Sequence, residues 1–423
     1  MSSTPAAGAT AGSAPVVIQT PTTGVPIYID VPPAARDRFT HDEIGRLIAL
    51  RRELHRHPEL SWNEYATSDR LAAVVTSLGA DVTRVANTGV VARFRGRDPG
   101  APVVAVRGDI DALPIQEETG LDYASAVPGV MHACGHDVHA TWAIGAAIDL
   151  LHRPARGDVL VVLQPAEEVG QGAPAILASG ALDGTAAIFG AHVDRRFPVG
   201  QVVAEAGALA ASADTFAITL VGRGAHGARP HESADPVVAA AAVITALQTI
   251  VSRRLDPAAP AVCTVGSVHA GVAPNVIPEK ATLTGTLRAM DPATRRRLGE
   301  EVTRLATAVA DAYGVHADVA VELGTPPIVN PAREAEWARS AAAAVLGEEG
   351  VVPFGITNMG GEDFAFYMER IPGCFLRIGA REAGGEAVAA HSPRFHAADG
   401  AIFVGAAVLA ECARVASEAL AAQ

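Results

Sequence analysis

Lysine is almost missing from this 423-residue chain: Lys280 is the only one, and arginine supplies the rest of the 33 basic side chains. Against 46 acidic residues this leaves a formal net charge of −13. That balance argues against nucleic acid or an anionic membrane surface as the main partner. Cysteine is scarce as well. Cys134, Cys263, Cys374 and Cys412 are too few and too scattered for a disulfide framework in a chain of this size, so a reducing, cytoplasmic setting is expected. No basic start leads into a continuous apolar segment, so no secretory signal is expected, and no apolar run reads as a membrane span. With 19% charged and 49% hydrophobic residues, the chain has the make-up of a globular protein rather than a disordered one. Its length allows two or three domains.

What is present is concentrated in one stretch, MHACGHDVHATWA, from Met131 to Ala143. Cys134, His136 and His139, with His132 before them, are metal-capable, and Asp137 adds a carboxylate. Gly135 permits the sharp turn that lets a thiol and an imidazole converge. The alternative for the thiol is plain packing, because free cysteine is among the most buried residue types. An Ala-rich apolar run follows, which reads as a buried helix entered through this cluster.

Residues 1–38 read as a disordered tail rich in Ala, Pro, Thr and Gly, with Val25–Pro33 able to lie on the domain surface. From Phe39 the apolar spacing of Ile44, Leu47, Ile48 and Leu54 predicts a helix ending at His57-Pro58. His55 and His57 in its charged tail read as structural rather than as ligands. VVARFRG and APVVAVRGDIDALP read as strands. The second ends in Asp109 and Asp111, whose spacing puts both on one face of an extended chain; a turn with an Asp cap is the alternative. GDVLVVLQPAEE is a buried strand running into Glu167 and Glu168. Adjacent carboxylates are expected to point different ways, and a metallohydrolase needs that division, one to bind a cation and one to take a proton from water. An exposed acidic turn is the bland reading. AAIFGAHV delivers His192 from an apolar strand, a core residue unless other ligands converge on it.

From Gly207–Ala213 the pattern runs strand, helix, strand, strand, helix, strand, the order of a ferredoxin-like split βαβ unit. His226 and His231 lie in its first turn. The chain then returns through a helix near Glu334–Leu346, the Gly-rich MGGEDF, the strand FLRIGA, the loop segment HSPRFHAADG with His391 and His396, and a final helix. The expected division is 39–208 and 324–423 for an α/β catalytic domain with a mixed, largely parallel sheet, and 209–323 for an inserted ferredoxin-like α+β domain.

Taken in order, RRELHRHPELSWNE, RGDIDALP, MHACGHDVH, QPAEE, GAHV, GRGAHGARPH, APNVIP, MGGEDF and HSPRF resemble the M20 family of metallopeptidases and amidohydrolases over everything but the tail. The likeness is to the amidohydrolase branch, with its hippurate hydrolase-like, aminoacylase-like and auxin-conjugate hydrolase-like enzymes. It implies two divalent cations, zinc or manganese with nickel or cobalt as further options, held by Cys134, His136, Glu168, His192 and His391. Glu167 would be the general base, Asp109 and Asp111 the acidic pair orienting ligands, and Glu362 a residue that structures the site. His226 would reach a partner subunit's site, making the inserted domain a lid through which a homodimer forms. Asn275 and Arg288 would meet the substrate carboxylate. The implied activity is hydrolysis of N-acyl amino acids by water that the cations activate. A dipeptidase or carboxypeptidase, a non-catalytic metal-binding homologue and a Cys/His hydrolase are the alternatives.

Overall fold

The computed structural model describes residues 31–423 and, as backbone alone, an antiparallel pair of Val16–Gln19 with Pro26–Ile29. Most of the expected disordered tail therefore lies outside the described residues, but its last part does not behave as a tail. Pro33–Arg36 is a helical turn, and Val31, Ala35 and Phe39 are buried in the core. Proline at the first helical position starts that turn, and its small apolar residues give it a face to bury.

The chain divides into two compact units, one of residues 1–205, 331–354 and 370–423, the other of residues 206–330 and 355–369. The span 209–323 lies inside the second unit. Residues 324–330 and 355–369, expected with the catalytic domain, cluster with it instead. Ile328–Asn330 pairs with Gly207–Ala210, and the Gly360 carbonyl accepts from the Ala211 N–H, so hydrogen bonds tie both pieces to the start of that unit.

The first unit is built on a seven-stranded sheet in the order Asp81–Val85, Gly89–Phe94, Val159–Gln164, Val103–Asp109, Thr185–Pro198, Gly373–Arg381, Val202–Val203. The central four strands run parallel and the outer ones antiparallel. Parallel strands are covered on both faces, which is why VLVVLQ is buried at every position and shows no polar alternation. The helices His136–His152 and Gly400–Ala421 pack on each other through small residues. A Cβ on Gly145 would stand 2.7 Å from Ala406, and one on Gly405 2.3 Å from the Trp142 ring. The helix His41–Arg56 opens with a reciprocal capping box between Thr40 and Glu43.

The second unit carries a four-stranded antiparallel sheet ordered Ala261–Ala270, Lys280–Ala289, Ala213–Val221, His316–Thr325. In chain order that is 4-1-3-2 read from the last strand, the split βαβ arrangement. Alternation in Lys280–Ala289, with Ala281, Leu283, Leu287 and Ala289 buried, points one face at the helices Pro236–Thr249 and Pro292–Ala312.

One composition reading needs correction. Pro236–Arg254 and Gly400–Ala421 are both long and apolar enough to cross a membrane. The second is buried over most of its length, as a core helix is, and carries its charged residues Glu411, Arg414 and Glu418 in its second half. The first is Ala- and Val-rich, and buries Ala239, Ala240, Val243, Leu247 and Ile250 against its own sheet while Val237, Val238 and Val251 remain exposed.

Candidate metal centre

The cluster seen in the sequence sits where the parallel strands Val103–Asp109 and Val159–Gln164 end, beside the middle of Thr185–Pro198. Gly135 caps the helix His136–His152 at φ 89°, and a Cβ there would lie 2.6 Å from Val193. A left-handed residue with no side chain is what the turn from Cys134 into the helix needs. His136 and His139 then fall one turn apart on one helix face. Asp109, the last residue of its strand, and Asp111 just beyond it meet this pair one to one.

Those contacts decide which nitrogens are available. His136 Nδ1 faces two acceptors, the Asp111 carbonyl at 2.9 Å and its Oδ1 at 3.1 Å, so it carries the proton. Its Nε2 is buried with no hydrogen-bond partner. His192 Nδ1 donates to the Val193 carbonyl at 2.7 Å, leaving Nε2 to face Cys134 Sγ at 3.2 Å. Ligating histidines are held this way, one nitrogen fixed by an acceptor and the other turned to the ion. His139 is different. Its Nδ1 donates to Asp109 Oδ1 at 2.6 Å and its Nε2 accepts from the Val193 N–H at 3.0 Å, so both nitrogens are committed within the protein. His132 is fully buried and joins none of the ligand groups. Two of the metal-capable histidines in the stretch are thus structural.

Glu167 and Glu168 follow the end of their strand, and the expectation that they diverge is not met. Their carboxylate oxygens lie 3.9 and 3.8 Å from His136 Nε2. Strand alternation has ended by then, because Ala166 is left-handed at φ 52° and turns the chain. Glu168 Oε2 is 3.4 Å from His391 Nε2, while its Oε1 is buried without a hydrogen-bond partner. His391 is itself left-handed, at φ 65°, in the loop that brings it there. Among the groups of metal-capable side chains that converge in the described residues, Cys134–His136–His192 and Cys134–Glu168–His391 share one thiol, while Asp109–His136–His139 and His136–Glu167–Glu168 share the His136 ring.

The electrostatics are those of a site with too many anions for its burial. Burial, with Glu168 beside it, pushes the Cys134 thiol far up. Burial raises the Glu168 carboxyl to about 7, helped by Asp111 and Asp109. Burial opposes charge on His136, yet Asp109 and Asp111 outweigh it and hold its pKa well above normal. Burial and nearby His139 hold His192 well below normal, hence neutral. Thiol, carboxyl and two orphaned donor atoms packed together are stabilised by cations placed among them. The residues present fit two divalent ions.

Asp109 is saturated by Arg107 and His139 and fully buried. Arg107 and Asp109 share a strand face at i, i+2, a legible signal that sequence reading passed over. Asp137, next to His136, pairs instead with Arg51 at 2.8 Å and His55 at 2.8 Å, so His55 is structural, as expected. His57 is exposed near Glu53. His396 Nε2 donates to Glu382 Oε1 at 3.0 Å and is no part of any of these donor groups.

The remaining expected residues lie in the second unit. His226 is exposed, pairs with Val276 across two short strands, and accepts at Nδ1 from the Ala228 N–H. Asn275 is exposed next to that pairing, its carbonyl accepting from the Gly227 N–H at 2.8 Å. Arg288 is half-buried on the strand Lys280–Ala289. Glu362 is buried and accepts from the Phe364 N–H at 3.1 Å, consistent with a structuring part.

Residues 105–415 match the model of peptidase family M20/M25/M40. An N-acetylcysteine deacetylase of Bacillus subtilis is 40% identical over 379 residues, 89% of this chain and 98% of the relative. A thermostable carboxypeptidase of Saccharolobus solfataricus is 33% identical over 371 residues, 85% and 92% of the two chains. Among solved structures, a dinuclear metal binding peptidase of the M20 family from Bacillus subtilis superposes with a TM-score of 0.79 at 36% identity, over 90% of this chain and 99% of the other.

Proposed function

We propose that this chain, which belongs to peptidase family M20/M25/M40, cleaves the amide bond of N-acyl amino acids into a carboxylic acid and a free amino acid. It is a metal-dependent hydrolase of amide bonds. The observation that carries the reading is the pair of buried, unpartnered atoms, His136 Nε2 and Glu168 Oε1, inside two donor groups joined by Cys134. Cys134, His136 and His192 would hold one divalent cation, and Cys134, Glu168 and His391 the other. When bound, the ions supply the positive charge that ionises water near neutral pH and polarises a carbonyl. Thiolate and imidazole favour zinc, nickel or cobalt by softness, with manganese the alternative.

Glu167 accepts the proton of the attacking water and returns it to the leaving amine. Asp111 keeps His136 in the tautomer that presents Nε2, and Asp109 locks His139 behind it. His226 donates to the oxygen on which charge builds, acting on the site of a second copy of the chain, and Asn275 and Arg288 take the substrate carboxylate. The active form is a homodimer formed through the inserted domain, a lid, working in the cytoplasm. Cys134 serves as a ligand rather than a nucleophile, since burial disfavours its thiolate unless cations stand beside it. The likeness to a carboxypeptidase supports a second reading, the same chemistry on short peptides. Substituting Glu167→Gln tests the mechanism: two bound ions and a loss of nearly all turnover are expected. Near-normal rates would remove Glu167 as the base.

A further inference from the structure

Ala166, immediately before Glu167, holds a left-handed backbone that side-chain-bearing residues rarely adopt unless their surroundings impose it. What imposes it is visible on both sides. The Ala166 carbonyl accepts from the N–H groups of Gln171 at 3.2 Å and Gly172 at 3.1 Å. Its N–H donates to Glu64 Oε1 at 2.9 Å, across 102 residues of chain. The other oxygen of Glu64 accepts from the Thr88 hydroxyl at 2.7 Å.

Glu64 is fully buried and stands at the N-terminus of the helix Tyr65–Ser77, where a carboxylate would ordinarily cap the free N–H groups. It makes no such cap. Its side chain is turned away from its own helix and spent on Ala166 and Thr88.

The strain is not confined to Ala166. Among the described residues, five without the freedom of glycine are left-handed: Trp62, Ala86, Asn87, Ala166 and His391. Trp62, Asn87 and Ala166 lie on one ring, closed by hydrogen bonds and by the peptide from Asn87 to Thr88. Asn87 Nδ2 donates to the Trp62 carbonyl at 3.3 Å, and Trp62 Nε1 donates to Gln171 Oε1 at 2.9 Å. Gln171 returns to Ala166, Ala166 to Glu64, and Glu64 to Thr88 beside Asn87. Strained residues gather where surrounding structure over-determines a functional geometry. This ring closes on the peptide that carries Glu167. One turn earlier, Ser61 donates to Asp111 Oδ2 at 2.7 Å, and that oxygen also accepts from the Glu168 N–H at 3.1 Å. The segment from Ser61 to Glu64 therefore grips both carboxylate-bearing residues, one through Asp111 and one through Ala166.

We infer that Glu64 is a positioning residue: by holding Ala166 left-handed it sets where the Glu167 carboxylate stands, with Ser61 doing the same for Glu168 through Asp111. The inference rests on the assignment of Glu167 as the base. Small displacements of a catalytic group cost rate far more than binding.

The test compares kcat, KM, bound metal and thermal midpoint of Glu64→Ala, Glu64→Gln and Ala166→Gly, alone and as the pair E64A/A166G. It uses full-length protein and whichever amide the wild type hydrolyses, N-acyl amino acid or dipeptide. Expected for Glu64→Ala is a fall in kcat of about tenfold to a hundredfold, with KM and bound metal near wild type. Glu64→Gln keeps an acceptor for the Ala166 N–H and should recover most of the rate. Ala166→Gly adopts the left-handed conformation without steric cost and should partly rescue Glu64→Ala. The inference is overturned if Glu64→Ala keeps wild-type kcat. It is equally overturned if kcat falls only in step with metal content or folding and Ala166→Gly restores nothing. Failure of the N-acyl reading would show in the wild type, and failure of the base assignment in Glu167→Gln, so neither is confused with failure of the Glu64 inference.

Discussion

The two units carry their functional side chains in opposite ways. In the first, every expected metal ligand but His391 is buried or nearly so, and both buried imidazoles have one nitrogen fixed by an acceptor. Asp111 alone accepts from Ser61, His136 and the Glu168 N–H. In the second unit, His226 and Asn275 are exposed on a two-residue pairing and held by little more than their own backbone. The contrast is one of preorganisation. The first unit holds its groups in place through buried hydrogen bonds, and the second leaves His226 and Asn275 exposed.

The largest expected effects break the preorganised side. Glu167→Gln should lower kcat by roughly a hundredfold to ten-thousandfold, the usual worth of a positioned proton acceptor, while elemental analysis still finds two ions. Asp111→Asn should weaken metal binding by about tenfold to a hundredfold, read by competition with a chelator, because His136 keeps the backbone carbonyl of residue 111 but loses the negative charge beside its ring. The exposed side is sharpened by mixing. His226→Ala and Glu167→Gln, each nearly inactive alone, should regain about a quarter of wild-type activity when co-refolded, if His226 serves the site of a second copy. No recovery in mixed dimers would return His226 to its own chain or remove it from catalysis.

A pH effect follows from the raised carboxyl and thiol. Glu168 titrates near 7 in the metal-free protein, above an ordinary carboxyl, and Cys134 is pushed higher still. The folded metal-free state therefore binds more protons than the unfolded chain between about 4.5 and 7 at Glu168, so that group's contribution to stability falls as pH rises through this window. Loading metal must expel these protons. Calorimetry in buffers of different ionisation heat should find more protons released per protein at pH 6 than at pH 8, because Glu168 adds its own to those given up by Cys134 and His136. The smallest effect is at the surface. His57→Ala should change stability by less than about 0.5 kcal/mol, since its contact with Glu53 is exposed.

Much of this was legible in the sequence. Helical spacing located His41–Arg56, unbroken apolar runs located the buried parallel strands, and the order of elements matched the antiparallel sheet of the second unit. The residues that the family resemblance implies as ligands stand in short motifs, and the structure brings Cys134, His136, Glu168, His192 and His391 together. Periodicity could not tell His136 from His139, since both lie on one helix face, and only the Val193 N–H taking up His139 Nε2 separates them. Nor could it place Glu167 and Glu168 side by side, because the left-handed Ala166 lies past the end of the repeating pattern. Glu64 acts on a residue 102 positions away, and no local spacing records that. Residues 355–369 join the second unit through contacts that a linear division of the chain does not reveal.

The most direct measurement is the release of free amino acid from N-acetyl, N-benzoyl and longer N-acyl amino acids, beside dipeptides. It starts from metal-stripped protein, with zinc, manganese, cobalt or nickel returned singly. Turnover of an N-acyl class, absent without metal and saturating at two ions per chain, is the predicted result. Turnover confined to dipeptides, or equal rates with and without metal, would contradict it.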